Sequence, residues 1–200
     1  MKSIILCGVF IFQICACTDV EDGEINGLVL DVTTNLPIEG ATVELKEGVG
    51  GGGWVTGGGG YSFPIAETRS DKDGNFTFYV STKSEYTNYY VRAMKDLYSD
   101  GGNHEESVAY KGEPDVIFYL QPPGYLKLHI QNIPPLDDYF KIVLNTTEYS
   151  GPNVDTTFIS SRQGNQDNYI GWSIYGPDTV YTSTYVYCPA FDTTFYEILY

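Results

Sequence analysis

Ile25-Asn26-Gly27-Leu28-Val29-Leu30-Asp31, Pro37-Ile38-Glu39-Gly40-Ala41-Thr42-Val43-Glu44-Leu45 and Thr68-Arg69-Ser70-Asp71-Lys72-Asp73-Gly74-Asn75-Phe76-Thr77-Phe78 belong to one stretch, and its reading decides the fold. It reads as three strands and their turns. Gly27 interrupts a strand pattern, where a missing side chain permits a close backbone approach or a bulge. Pro37 and Gly40 punctuate the turn before the next strand. Asp73-Gly74 is a hairpin-turn signal, because glycine reaches positive φ without steric cost. Phe76, Phe78 and Val80 then alternate with Thr77 and Tyr79, the period of a half-buried strand.

Working outward, strands are expected at Glu24–Val32, Ala41–Glu47, Glu67–Ser70, Asn75–Val80, Tyr86–Met94 and Asp115–Leu120, with an edge strand at Glu105–Tyr110. Gln121-Pro122-Pro123-Gly124 reads as a boundary, stiffened by two prolines and freed by Gly124 at its exit. Beyond it, strands are expected at Leu126–Ile130, Phe140–Leu144, Asp155–Ser161, Tyr169–Ile174, Thr179–Tyr187 and Thr194–Leu199. Short strands at near-regular spacing, with Gly, Pro and Asn turns between them, point to a second sandwich with an Ig-like one as the expectation. No useful length after residue 17 has helical periodicity. The fold class is therefore all-β, with two consecutive β-sandwich domains at residues 24–121 and 122–200.

Gly27, Val29, Asp31, Pro37, Ile38, Gly40, Ala41, Val43 and Leu45, with Thr68, Asp71, Asp73, Gly74, Phe76 and Phe78, make the first unit resemble the carboxypeptidase regulatory-like (transthyretin-like) β-sandwich family. The resemblance spans Glu24 to Leu120. It implies a seven-stranded sandwich used as an accessory, adhesive or spacer module. It brings no catalytic residue with it, because the shared positions are turn and core residues.

The first residues are read as a signal rather than as fold. Lys2 supplies a positive start, and Ile4 to Ile14 is an apolar run too short to span a bilayer. Ile14-Cys15-Ala16-Cys17 resembles a bacterial lipobox, with Cys17 as the lipidated residue. Thr18-Asp19-Val20-Glu21-Asp22-Gly23-Glu24 resembles the surface-export signal of Bacteroidetes lipoproteins. That resemblance implies a signal peptide over residues 1–16, an acidic tether over 17–23, and a lipid anchor in the outer membrane with the chain exposed at the cell surface. The alternative is an ordinary secretory signal cleaved near Ala16. The chain has four cysteines. With Cys7 and Cys15 in the signal and Cys17 as the anchor, Cys188 alone remains, so no disulfide framework is expected. Cys188 reads as a buried thiol. The net charge of −15 argues against nucleic acid, whose phosphates need clustered Lys and Arg.

The segment from Gly48 to Tyr61 carries two glycine runs around Trp54. It lacks the Gly-Lys-Ser/Thr ending of a phosphate loop and reads as an insertion between strands. Trp54 and Tyr61 either cap the sandwich edge or form an apolar platform for a ligand such as a sugar ring. Asp71-Lys72-Asp73-Gly74-Asn75 resembles the start of a calcium loop, yet position 82, where the closing Glu belongs, is Thr, so it reads as a turn. His104 and His129 fall in different domains without ligand spacing, so no metal or cofactor is expected. No Gly-x-Ser-x-Gly elbow is present. Of eighteen tyrosines, Tyr181, Tyr185 and Tyr187 share one face of a single strand. That face is either half-buried strand-forming tyrosine or a binding surface of amphipathic rings. Trp172 reads as the anchor of the second core. Asp155-Thr156-Thr157, Asp178-Thr179-Val180 and Asp192-Thr193-Thr194 resemble the Bacteroidetes O-glycosylation acceptor, with Thr156, Thr179 and Thr193 as acceptors.

The sequence thus describes a non-catalytic cell-surface lipoprotein. The resemblance to Bacteroidetes lipoproteins implies glycan binding, as an accessory to an outer-membrane glycan-uptake system. The alternative is a structural spacer or adhesin subunit that contacts protein partners.

Overall fold

The computed structural model describes residues 21–49, 61–82, 88–100, 105–108, 116–133, 147–175 and 179–200, and among them the regular structure is entirely strand. The first sandwich faces two sheets against each other. One has the order β4-β1-β7, built from β4 (Asn75–Thr82), β1 (Glu21–Asp31) and β7 (Val116–Leu120). The other has the order β3-β2-β5-β6, built from β3 (Tyr61–Arg69), β2 (Thr42–Val49), β5 (Asn88–Met94) and β6 (Glu106–Val108). β1 lies in the middle of its sheet. It runs antiparallel to β4, from Glu21↔Thr82 to Leu28↔Asn75, and parallel to β7, from Gly27↔Val116 to Asp31↔Leu120.

The inward residues follow from the alternation of each strand. Val29, Val43, Leu45, Val91, Phe76, Phe78, Phe118 and Leu120 fill the space between the sheets. Phe76 meets Phe78 edge-on at 6.0 Å and Phe118 in a tilted arrangement at 6.1 Å. Gly27 resolves to a close approach rather than a bulge, because its pairing is in register with both neighbours. A Cβ there would lie 2.2 Å from Phe76 Cζ. The turn before β4 closes on Asp71, whose Oδ1 accepts from the N–H groups of Asp73 (2.9 Å) and Asn75 (2.8 Å), with Gly74 at φ 80°. These bonds hold the Asp71 carboxyl below its ordinary pKa, the backbone bond from Asn75 first among them. The carboxylate thus accepts bonds from its own turn.

The second sandwich repeats the plan. β8 (Pro123–Gln131) is central in the order β12-β8-β9, parallel to β12 (Thr193–Leu199) and antiparallel to β9 (Asp155–Gln163). β10 (Gln166–Ile174) and β11 (Val180–Cys188) form an antiparallel pair across from it. Leu126, Leu128, Ile130, Ile170, Val186, Cys188 and Ile198 make the core, with Trp172 half-buried against it and 6.5 Å from Tyr196. In both sandwiches the first strand is central and the last strand lies parallel beside it. Burial pushes the Cys188 thiol pKa up, as for an inert core cysteine.

Several expectations need correction. The third strand is not the short Glu67–Ser70 but Tyr61–Arg69; it is an edge strand, where Pro64 needs no N–H partner, and a register shift lies beside it at Leu45/Lys46. The strand expected at Phe140–Leu144 lies outside the described residues. The boundary is not a freely exiting linker. Pro122 is fully buried, and Pro123 and Gly124 already belong to β8. Gly124 is glycine because a Cβ would stand 2.8 Å from that of Cys188.

The two sandwiches are joined by named contacts. Ser99 and Gln121 exchange both backbone hydrogen bonds at 2.8 Å, and Gln121 Nε2 donates to the Gly164 carbonyl at 3.0 Å. Asn165 Nδ2 donates to Thr33 Oγ1 at 2.9 Å, while its Oδ1 accepts from Ala190 N–H at 2.9 Å. Tyr98 of the first sandwich meets Phe191 of the second edge-on at 5.3 Å. Leu97 and Phe191 both adopt positive φ, 72° and 59°, which is strained for side chains of that bulk. Phe191 is at the joint, held by the Tyr98 ring and by its N–H bond to Pro123 O at 2.7 Å, whereas Leu97, beside Tyr98, is largely exposed.

Candidate functional site

The β10–β11 pair presents two unlike faces. Inward, Ile170, Trp172, Val186 and Cys188 pack on the second core. On the other side, the register sets Asp167 opposite Tyr187, Tyr169 opposite Tyr185, Gly171 opposite Ser183, and Ser173, itself buried, opposite Tyr181. Because side chains alternate along a strand, these eight residues share one side. Tyr169, Tyr181, Tyr185 and Tyr187 are 60%, 76%, 68% and 51% exposed, far more than rings that merely finish a core. Tyr169 and Tyr185 meet edge-on at 5.6 Å with ring planes 66° apart. Tyr169 also lies along its strand over Gly171, since a Cβ on that glycine would be 2.8 Å from the Tyr169 hydroxyl. Between this pair and Tyr181 stand only Gly171 and Ser183. The face thus carries amphipathic aromatic groups on either side of a low floor of small residues. Tyrosine gives large contact area with few rotatable bonds and a wet hydroxyl, which suits it to recognition.

The predicted tyrosines Tyr181, Tyr185 and Tyr187 are brought together on this face. Tyr169 joins them from the neighbouring strand, and sequence reasoning missed it because cross-strand register is not written in either strand alone. Tyr61 opens β3 opposite Val49; its side chain lies outside the described residues, as do Trp54 and Cys17 altogether. Thr179 and Thr193 are exposed, whereas Thr156 is half-buried and pairs with Ile130 on the inward side of its sheet.

A second polar cluster forms around His129 from residues distant in sequence. His129 Nδ1 lies 2.8 Å from Glu197 Oε1, and Nε2 lies 2.9 Å from Asp155 Oδ1. The ring stacks on Phe195 at 6.4 Å. The two carboxylates sit on opposite ring nitrogens and do not converge on one ion, and no metal-holding cluster occurs among the described residues. Only the imidazolium has an N–H for each carboxylate, so Asp155 first, then Glu197, raise the His129 pKa above 6.5. A raised folded pKa gives stabilisation that is complete below the unfolded value and is lost as pH rises through the folded one. Thermal midpoints are therefore expected to fall as pH climbs from below 6.5 through the raised value, and His129→Gln is expected to flatten that slope. An NMR titration of the imidazole gives the folded pKa directly.

A shallow cleft of about 430 Å³ lies over β2, β3 and β5, lined by Glu44, Glu67, Arg69, Lys95 and Asp96 among others. Its cations are committed locally: Lys95 Nζ donates to the carbonyls of Glu39 (2.8 Å) and Gly40 (3.3 Å), and Arg69 Nη1 reaches Gly40 O at 3.5 Å. The alternation of acidic and basic groups favours neither an anion nor a cation. Among the described residues no helix is long and apolar enough to cross a membrane.

Comparison with family models gives no match, and comparison with curated proteins gives none. Among solved structures, the chain is similar to a minor pilin of Streptococcus agalactiae, at 12% identity and TM-score 0.40, over 88% of this chain and 94% of that one. It is similar to a streptococcal ancillary pilin at 13% identity and TM-score 0.40, over 90% of this chain and 63% of that one. It is also similar to the TIE protein of Bacillus anthracis, at 11% identity and TM-score 0.38, over 89% of this chain and 34% of that one. Likenesses of this degree assign neither an activity nor a partner.

Proposed function

We propose that this chain is a non-catalytic adhesin or structural subunit of a cell surface, and that it contacts a protein partner through the tyrosine face of β10–β11. The observation that carries the reading is four exposed tyrosines gathered on one sheet face around Gly171 and Ser183. Aromatic residues enriched at an otherwise small and polar patch are the composition of protein interfaces. Lipidation at Cys17 would hold the chain to the outer membrane, and incorporation of a fatty-acid probe that disappears in Cys17→Ala checks that attachment.

Glycan binding is the second reading, with Trp54, Tyr61 and the strand tyrosines as its platform. The edge-on geometry of Tyr169 and Tyr185 favours the protein partner, because two rings 66° apart do not make one flat shelf for a sugar face. Thr179 and Thr193 are the accessible acceptors for O-glycosylation, and the intact mass of the natively expressed chain tests them.

The experiment is binding of the chain to parallel panels of surface and matrix proteins and of polysaccharides, with Tyr181→Ala/Tyr185→Ala beside it. Saturable protein binding is expected, weakened at least about 30-fold by the double variant, as for interface hot spots of about 2 kcal/mol or more. Its thermal midpoint should stay close to that of the parent, since both rings are exposed. Polysaccharide binding lost in the same variant would transfer the site to a glycan. Protein binding that the variant leaves intact would remove the site from this face.

A further inference from the structure

We propose that the chain is built to carry tension along its length, with the parallel pairing of first and last strands in each sandwich acting as a shear clamp. This deepens the adhesin or structural reading and takes its setting from it. The geometry is mechanical. In the first sandwich, pulling the start of β1 against the end of β7 draws two parallel, directly bonded strands in opposite directions along their common axis. The load falls on all pairs from Gly27↔Val116 to Asp31↔Leu120 together, with Val32 N–H to Leu120 O at 3.1 Å adding one more bond. β1 is also bonded to β4 over Glu21 to Leu28, so the same sliding loads that ladder lengthwise as well.

The second sandwich repeats the device with a longer clamp. β8 and β12 pair in parallel from Tyr125↔Thr193 to Gln131↔Leu199. The ladder gains Tyr125 N–H to Asp192 O (3.0 Å) at one end. At the other it gains Tyr200 N–H to Gln131 O (3.2 Å) and Ile133 N–H to Tyr200 O (2.8 Å). Tension reaches β8 from β7 through Gln121 and Pro122, and this short connection is pinned by Ser99 and Gly164 rather than slack. Antiparallel strands loaded at neighbouring ends open one bond at a time; parallel strands loaded at opposite ends must break their bonds together. Forced unfolding is governed by the height of that barrier and not by equilibrium stability.

Single-molecule force spectroscopy on the chain tests this. One handle is placed ahead of Glu21 and the other after Tyr200, and the released contour length tells the two sandwiches apart. The C-terminal handle is then moved to Asp192, at the start of β12 and beside the start of β8, which converts shear into peeling in the second sandwich alone. The rupture force of the second sandwich is expected to fall at least about two-fold, while the first sandwich in the same molecule keeps its force. A further geometry, with handles ahead of Glu21 and at Ser81, loads the neighbouring ends of β1 and β4 and is expected to weaken the first sandwich likewise. Equal rupture forces in shear and peeling geometries overturn the proposal, even if the tyrosine face binds its partner. Conversely, high shear forces in a chain that binds no protein leave the clamp standing and remove the adhesive role.

Discussion

Gly27→Val is expected to cost the first sandwich at least about 3 kcal/mol, at the top of the range for overpacked cores and a large share of the stability of an ordinary domain. The first atom of the new side chain would fall 2.2 Å from Phe76 Cζ and 2.5 Å from the Val116 carbonyl oxygen. Neither can retreat. Phe76 is held between Phe78 and Phe118 in the core, and Val116 belongs to the strand that pairs with Gly27. Chemical denaturation measures the loss, and hydrogen exchange should place it in β1, β4 and β7. The cause can be separated from general damage by a cycle with Phe76→Leu. Shrinking the ring should recover part of the cost of Gly27→Ala, so the two substitutions together should cost less than their sum. A Gly27→Val chain as stable as its parent would mean that β1 and β7 do not approach as described.

Gly164→Val is expected to cost about 2–3 kcal/mol and to loosen the joint between the sandwiches. Here the atoms nearest the added Cβ would all be main-chain: Pro123 O at 2.7 Å, Ala190 Cα at 2.8 Å and Pro122 O at 3.0 Å. To make room, the 164–165 turn must move away from Pro122. That movement strains the Gly164 N–H to Pro122 O bond (2.8 Å), the Gln121 contact and the Asn165 bridge to Thr33. Thermal melts give the magnitude. Limited proteolysis gives the place, since residues 121–124 should become cleavable where the parent chain resists. Gly164→Ala, which adds the same Cβ and nothing beyond it, should produce a smaller version of both effects.

What the sequence discloses is what the chain repeats locally. The alternations at Phe76, Phe78 and Val80, and at Leu126, Leu128 and Ile130, predict strands whose inward residues are indeed core. Tyr181, Tyr185 and Tyr187 are legible as one face for the same reason, the two-residue period of a strand. The Asp71 turn is legible because its bonds stay within four residues. Everything that depends on register is hidden. His129 finds its carboxylates 26 and 68 positions away, so no spacing near it could announce them. Tyr169 joins the tyrosine face only through the pairing of β10 with β11. Gly27 could be read locally as a bulge or as a close approach, and only the position of Phe76 decides. Pro122-Pro123-Gly124 carries every local sign of a linker. Those signs report backbone preference and are blind to the second core packing over them.

The pairing of each first strand with its last strand also sets the order in which the chain can mature. β1 is made early but has no parallel neighbour until Val116 to Leu120 have emerged, and β8 waits in the same way for Thr193 to Leu199. Closing such long loops is slow, because the entropy of joining distant segments is spent before their contacts return anything. A nascent chain therefore stays open through most of the synthesis of each sandwich. Completion arrives abruptly, one sandwich at a time, as each closing strand is delivered. A chain truncated just before Thr193 would hold a finished first sandwich and a second one without its closing strand, with the edge of β8 bare and open to pairing with other chains.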